Sequence, residues 1–282
     1  EAMISTAFAA HPYGVPGVGW ASDISNLRVQ DAEAFFRTYY VPNNLTIAIA
    51  GDVNPPEAKR LAEKYFGDLP PGPRPPLVVT EEPPQPGEKR IAVESPAQPF
   101  LLIGYKRPDQ YHEDNDAIDV LEGVLSGGRT SMMYKELVRD SKLALAAQSI
   151  GAFPGSQYPS LFLLFVVPNQ GKTIDELEKA TYALVEKARK GEFEPEMIDR
   201  VKTSIRASLI RTLASNSGMA SNLASAHANY GDWRELFRSL EKIEKVTIED
   251  VKRVAATYLK EGNRTVAYTV RPQAAPSQGD AQ

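Results

Sequence analysis

The residues that could hold a metal ion are few and far apart in this chain of 282 residues. The three histidines, His11, His112 and His227, have no second ligand at helical or hairpin spacing, and cysteine does not occur. Zinc sites are built from His, Cys, Asp or Glu side chains at short, regular spacings. The pattern indicates structural roles for the histidines, and it predicts that this chain binds no metal.

A glycine-rich turn is the other candidate site. Gly127-Gly128-Arg129-Thr130 precedes a predicted helix, and the N-terminus of a helix can attract an anion. The turn lacks the lysine and the glycine spacing of a phosphate-binding loop. A connection between two helices, in which glycine permits positive φ, is therefore the preferred interpretation.

The elements around this turn are predicted from hydrophobic periodicity. Strands are expected at 90–93 and 100–105, a helix at 114–125, a second helix from 130 to 138, and strands at 143–151 and 158–167. Thr173 and Glu176 form a capping box that begins a further helix. A long helix from Pro195, a helix from Thr247 and a strand at 265–270 complete this part.

The N-terminal part is shorter and ends in a proline-rich segment. Helices are predicted at 31–40 and 56–66, with an apolar strand at 45–50 between them. Eight prolines between residues 69 and 87 predict an extended, semi-rigid linker, with a long surface loop as the alternative. Because residue 1 starts helix-like sequence with no N-cap, we expect a chain cut from a larger protein.

Composition excludes some classes of protein. A hydrophobic content of 42% allows one or two globular domains, and a net charge of −4 gives no basic field for nucleic acid. Apolar runs such as 161–167 are far shorter than the roughly 20 residues needed to cross a bilayer. No membrane span is predicted.

A short internal repeat links the two parts. When residues 29–48 are laid over 248–267 without a gap, Asp31 pairs with Asp250, Tyr39 with Tyr258 and Thr46 with Thr265. Thr38, Asn44 and Ala48 are also matched by identical residues. A duplicated unit is predicted, whose first copy lacks on the order of 130 residues at its N-terminal side.

Several strings, in this order, resemble pitrilysin/insulinase-family zinc peptidases. They are H-P-Y-G-V-P-G-V-G-W-A-S-D-I at 11–24, Y-V-P-N-N at 40–44, I-A-G-D-V at 49–53, Y-F-G-D-L-P at 65–70, and G-G-R-T-S with Y-K-E-L-V between 127 and 138. The resemblance implies an α+β fold, a two-layer, mostly antiparallel sheet with helices packed on it. The unit would be duplicated, with the first copy truncated.

The resemblance also implies where zinc is held. In the family, a helix of the first domain carries H-x-x-E-H, with two His ligands and a Glu that serves as general base. That motif does not occur here, and the counterpart helix at 114–125 carries Asp116, Asp119 and Glu122 instead. The expected domains are 1–68 (end of the first), 69–89 (linker), 90–272 (the second, non-zinc domain) and 273–282 (disordered tail).

Second domains of the family supply a substrate-gripping Arg and, seven residues later, a Tyr that helps to stabilise the oxyanion. By the resemblance, Val138 and Leu145 occupy these positions; a shift by one residue places Arg139 and Ala146 there. Either a partner subunit supplies both groups, or the parent protein is an inactive assembly subunit. Arg129 and Arg139 are candidates to line the chamber wall, with solvated surface arginines as the alternative.

The leading hypothesis is a non-catalytic portion of a zinc-dependent metalloendopeptidase that degrades or processes peptides in a closed chamber. This chain would form chamber wall and partner surface in a homo- or heterodimer, and zinc would belong to the full-length parent. The alternative is a non-hydrolytic assembly subunit, like an inactive processing-peptidase or respiratory-core subunit. Bacterial cell envelope and cytoplasm fit equally.

Overall fold

The computed structural model describes residues 1–272, which divide into two compact units. Unit 1 contains residues 1–17, 81–201 and those from 246 on; unit 2 contains 18–80 and 202–245. The expected tail at 273–282 lies outside the described residues. The elements in chain order are α1 Ala2–Ala7, α2 Ala21–Ser25, α3 Val29–Tyr39, α4 Pro55–Phe66, β1 Lys89–Glu94, β2 Leu101–Arg107, α5 Asn115–Ser126, a π-helical segment Tyr134–Asp140, β3 Ala144–Phe153, β4 Ser160–Pro168, α6 Ile174–Lys190, α7 Glu196–Leu213, α8 Asn216–Tyr230, α9 Glu235–Lys245, α10 Ile248–Tyr258 and β5 Arg264–Val270.

Unit 1 is built on a five-stranded sheet, counted within the described residues, in the order β1-β5-β2-β4-β3. Only the β1–β5 pair is parallel, and the remaining pairs are antiparallel. The mostly antiparallel α+β sheet predicted from the sequence is therefore confirmed.

One face of the sheet carries helices from the second repeat. Leu101, Ile103 and Tyr105 alternate along β2 and are fully buried on this face, which α5, α6 and α10 cover. The predicted capping box is present at the start of α6: Thr173 Oγ1 accepts from the Glu176 N–H at 3.2 Å, and Glu176 accepts from the Thr173 N–H at 2.9 Å.

The N-terminal helix α1 packs on the other face. Met3 and Phe8 join Leu161 and Leu163 of β4 in a buried cluster. A Cβ at Gly104 of β2 would lie 2.4 Å from Met3 Cε and 3.0 Å from Leu161 Cδ1, so a larger residue here would force these side chains to shift.

Unit 2 contains helices but, among its described residues, no strand. The predicted strand at 45–50 is wrong in this respect: Leu45 is extended, at φ −111° and ψ 137°, yet the segment pairs with no neighbour. A strand is defined by its ladder, and residues 18–80 and 202–245 supply no second strand. Helices α3 and α4 begin and end close to their predicted bounds.

Each unit combines segments from both copies of the repeat. Helix α1 precedes the first copy of the repeat in the chain, yet it packs with β5 in unit 1. Helix α8 precedes the second copy, yet it lines a groove with residues 45–49 in unit 2. The boundaries 1–68, 69–89 and 90–272 follow the repeat and stay a prediction. The compact units show that the repeat and the packing do not divide the chain in the same way.

Candidate functional site

Helix α5 is the element where the resemblance would put chemistry, and the structure places a charged cluster on it. The helix follows β2 after an Arg107-Pro108 step and packs against β3, the edge strand of the sheet. Its apolar residues, including Ile118 and Leu121, are buried in the core. The polar residues of α5 lie one and two turns apart along the helix. Because the apolar face is turned to the core, these polar residues are directed towards β3 and the end of β2.

Arg107 is the centre of the cluster and is only 3% exposed. Its Nη1 donates to Gly151 O at 2.8 Å, Nη2 to Asn115 Oδ1 at 2.6 Å, and Nε to Pro108 O at 2.9 Å. Asn115 Nδ2 in turn donates to Asp119 Oδ2 at 3.2 Å. A buried guanidinium is tolerated only when its donors are satisfied and opposite charge is near, and both conditions hold here.

Two carboxylates balance this charge, and burial changes their proton affinity. Burial raises the pKa of Asp119 to about 7, an effect that nearby Glu122 reinforces and Arg107 opposes. Burial also raises the pKa of Glu122, against a hydrogen bond from the Gly151 N–H. Asp119 can therefore take up a proton close to neutral pH.

The same helix occupies donors of the edge strand. Ser126 Oγ accepts from the Ser149 N–H at 2.9 Å, and Glu122 accepts from the N–H of Gly151, two residues along β3. A Cβ at residue 151 would lie 2.4 Å from Glu122 Oε2, so glycine makes room for the carboxylate. Side chains of α5 thus accept hydrogen bonds from backbone N–H groups of β3 that would otherwise be available to an additional strand at this edge.

Asp119-x-x-Glu122-Gly123 has the spacing of H-x-x-E-H, with aspartate and glycine in place of the two histidines. Among residues 1–272 no three His, Cys, Asp or Glu side chains are grouped so that they could hold a metal ion. The residues present therefore do not fit zinc. The arrangement instead fixes α5 to β2 and β3 through hydrogen bonds and opposite charges.

Sequence reasoning missed Arg107. The available signal was an arginine at the end of an otherwise apolar strand, followed by a helix whose acidic residues recur at intervals of three. Because such a strand end is buried, an arginine there requires a partner of opposite charge on the next element.

The other sequence-predicted residues lie apart from this cluster. Arg139 is exposed and pairs with Asp140, at 2.6 Å between Nε and Oδ1, and the side chain of Arg129 is exposed without an ion pair in the described part of the chain. Val138 is half-buried and Leu145 is exposed. The chamber-wall role of the two arginines stays a prediction.

The three histidines occupy separate places. His11 is buried and its Nδ1 accepts from the Tyr13 N–H at 3.1 Å, while His112 Nδ1 accepts from the Asp114 N–H at 3.1 Å. His227 lines a groove of ≈ 550 Å³ in unit 2. Turn formation accounts for the first two.

Comparison with known proteins gives the family. A family model described as the peptidase M16 inactive domain matches residues 26–205. This chain belongs to the peptidase M16 family. The resemblance to pitrilysin/insulinase zinc peptidases is therefore confirmed, and the family model that matches this M16 chain is that of the inactive domain.

Two curated relatives extend along most of this M16 chain. "Zinc protease PqqE" of Helicobacter pylori is 30% identical over 270 residues, which are 94% of this chain and 60% of that protein. "Probable mitochondrial-processing peptidase subunit beta" of Schizosaccharomyces pombe is 24% identical, over 89% of this chain and 57% of its own length. The chain thus spans less than two thirds of these relatives.

A solved structure shares the fold. The crystal structure of a protease from Helicobacter pylori superimposes with a TM-score of 0.87 at 29% identity, covering 95% of this chain and 65% of that one. Within residues 1–272, none of the helices combines the length and the apolar character needed to cross a membrane.

Proposed function

We propose that this chain is the non-catalytic portion of a zinc-dependent metallopeptidase that processes or degrades peptides. It would form part of the wall of a closed chamber and a surface for a partner subunit of the same family. The proposal rests on membership of the M16 family, on relatives named zinc proteases, and on one structural observation in unit 2.

That observation is the exposure of apolar residues in the first copy of the repeat. Phe35 is 56% exposed and Ile47 58%, whereas Val254 and Val266 at the matching positions of the second copy are both 0% exposed. In unit 1 the second-copy helix α10 packs against α5 and α6, and β5 lies between β1 and β2. The first-copy residues have the character of a core without its covering layer.

We infer that a second sheet-and-helix layer covers these residues in the full-length protein. Its strands would pair with residues 45–50 as β1 and β2 pair with β5. Because α5 supplies no set of zinc ligands, the metal would be held by the H-x-x-E-H helix of that layer. Arg129 and Arg139 would line the chamber wall.

The test is made in the full-length protein. Deleting everything after Gly87 should abolish hydrolysis of a fluorogenic peptide while the H-x-x-E-H segment stays in place. A zinc chelator should also abolish hydrolysis in the intact protein, and added zinc should restore it. Full activity in the truncated protein would show that residues 88–282 play no part in the reaction.

A non-hydrolytic assembly subunit is the second candidate. It is favoured by the relative named as a subunit of a processing peptidase. Full-length protein that lacks H-x-x-E-H, hydrolyses no peptide alone and co-purifies with a second subunit would decide for this candidate. A full-length protein that hydrolyses peptides by itself would decide against it.

A further inference from the structure

Glu82, near the end of the proline-rich segment, accepts hydrogen bonds from three consecutive backbone N–H groups that follow α1. The Ala9 N–H lies 2.8 Å from Oε1 and 3.0 Å from Oε2, and the N–H groups of Ala10 and His11 each lie 3.0 Å from Oε2. Successive N–H groups of this kind form a concavity that binds anions. Here the anion comes from the chain itself, more than 70 residues later.

The same carboxylate is the counter-charge of a buried lysine. Lys106 Nζ, on the α1-facing side of β2, lies 3.4 Å from Glu82 Oε1 and 3.8 Å from the centroid of the Phe8 ring. The ammonium nitrogen is buried and makes no well-formed hydrogen bond within the described residues. Its charge therefore depends on this carboxylate and this ring.

The proton affinities agree with a carboxylate held in place. Although burial alone would raise the pKa of Glu82, the three backbone N–H groups and Lys106 lower it to about 2. For Lys106, burial outweighs the attraction of Glu82 and lowers the pKa to about 8. Below that pH, an ion pair supports the hydrogen bonds.

Neighbouring residues fasten the rest of this segment. Gln85 Nε2 donates to Arg264 O, at the start of β5, at 2.7 Å and to Gly87 O at 2.8 Å. Lys89 Nζ donates to Ala7 O, at the end of α1, at 3.2 Å. Residues 81–89 are thus tied to β5 on one side and to α1 on the other.

Helix α1 depends on such support. It has six residues, and a helix of that length is not stable in water by itself. Its apolar contacts come from few side chains, chiefly Met3, Ile4 and Phe8. Removing its polar attachment should let it open while the sheet keeps its own ladder hydrogen bonds.

We propose that residues 81–89 form a strap whose Glu82 carboxylate locks α1 onto the sheet, so that α1 is a separately releasable element of unit 1. This inference does not depend on the proposed function. It assigns the end of the proline-rich segment a holding role in addition to that of a spacer.

The experiment uses the chain of residues 1–282 and hydrogen exchange followed by mass spectrometry. Glu82→Ala removes the carboxylate, and Glu82→Gln keeps one acceptor oxygen but no charge. Glu81→Ala is the matched control, because Glu81 is exposed and carries the same charge one residue earlier. Each variant is measured in sodium chloride and in sodium formate at equal ionic strength.

In Glu82→Ala, the amides of residues 5–8, which donate to carbonyl groups of α1 and its N-cap, should exchange faster by at least on the order of 100-fold, since loss of the carboxylate leaves a buried charge and three N–H groups unpaired. Glu82→Gln should lie between it and the control, and peptides from β2 and β4 should not change. Formate, but not chloride, should restore protection by replacing the carboxylate.

Three results would overturn the lock. The first is exchange of the α1 amides in Glu82→Ala that equals exchange in Glu81→Ala. The second is an equal rise of exchange in β2 and β4. The third is formate that restores no more protection than chloride does. If Glu82→Ala does not fold, the same comparisons are made with Glu82→Gln.

Discussion

The two copies of the repeat allow one substitution to be made twice, at matching positions with opposite burial. Val266 lies in β5 between Arg90 of β1 and Ile103 of β2 and is 0% exposed. Ile47 occupies the matching position of the first copy and is 58% exposed. Each is replaced by alanine in the chain of residues 1–282.

The expected costs differ because burial differs. Val266→Ala removes two buried carbons at about 0.8 kcal/mol each and leaves a cavity, which gives about 2–3 kcal/mol. Ile47→Ala removes three carbons, but from a side chain that is mostly in water, which gives about 1 kcal/mol or less. The larger deletion should therefore have the smaller effect.

Urea unfolding can separate the two units. Both tryptophans, Trp20 and Trp233, lie in unit 2, so their fluorescence follows the unit that contains Ile47, while far-UV circular dichroism also follows the sheet of unit 1. In the full-length protein, the cost of Ile47→Ala should rise to about 2–5 kcal/mol, as for a buried isoleucine. Equal costs of the two substitutions in this chain, or an unchanged cost at Ile47 in the longer one, would refute the missing-layer argument.

Three further predictions concern charged groups. Because the pKa of Asp119 is raised to about 7 from 3.8, the folded chain holds a proton that the unfolded chain has lost between these values, and the free energy of unfolding should fall as pH rises from 3.8 to 7. Asp119→Asn should flatten this dependence in urea titrations at pH 4 to 8. Asp175→Asn, a control at an exposed position, should leave the dependence unchanged. Lys106→Met should abolish a rise in stability between pH 8 and 10.5, where the unfolded chain holds the proton that the folded chain has released. Persistence of that rise in the variant would exclude this lysine as its source. Arg129→Ala and Arg139→Ala should leave the thermal midpoint of this chain unchanged and raise KM, rather than lower kcat, for peptide hydrolysis by the full-length protein; an unchanged KM would place both side chains outside the chamber.

The sequence carried enough information for the fold of unit 1 because its signals are local. The nearly continuous apolar runs at 100–105 and 158–167, the capping box of Thr173 and Glu176, and Gly191 with φ +74° after α6 each define an element from a few neighbouring residues. The family resemblance then implies the mostly antiparallel sheet with helices packed on it, whereas the order of the strands comes from the structure.

Long-range pairing could not be predicted in the same way. Residues 45–50 have the apolar pattern of a buried strand, and the pattern cannot tell whether neighbouring strands are within reach. The packing of α1 on β4 and β5, and the contact of Glu82 with the residues after α1, join segments that are 70 or more residues apart. No periodicity in either segment encodes such a partner.

The charged cluster on α5 explains why this copy of the repeat can keep acidic residues without a metal ion. In H-x-x-E-H the positive charge near the glutamate is the metal ion. In Asp119-x-x-Glu122-Gly123 the positive charge is the guanidinium of Arg107, bonded to the backbone of β3 and to Asn115. The charge of Arg107 belongs to the chain itself, so its contacts with α5 and β3 form when the protein folds and need no ligand. They hold α5, β2 and β3 together in every molecule. The helix has the spacing of a catalytic motif, but Glu122 accepts from the edge strand, Asp119 accepts from Asn115, and both carboxylates balance an arginine, so their hydrogen bonds support a structural role.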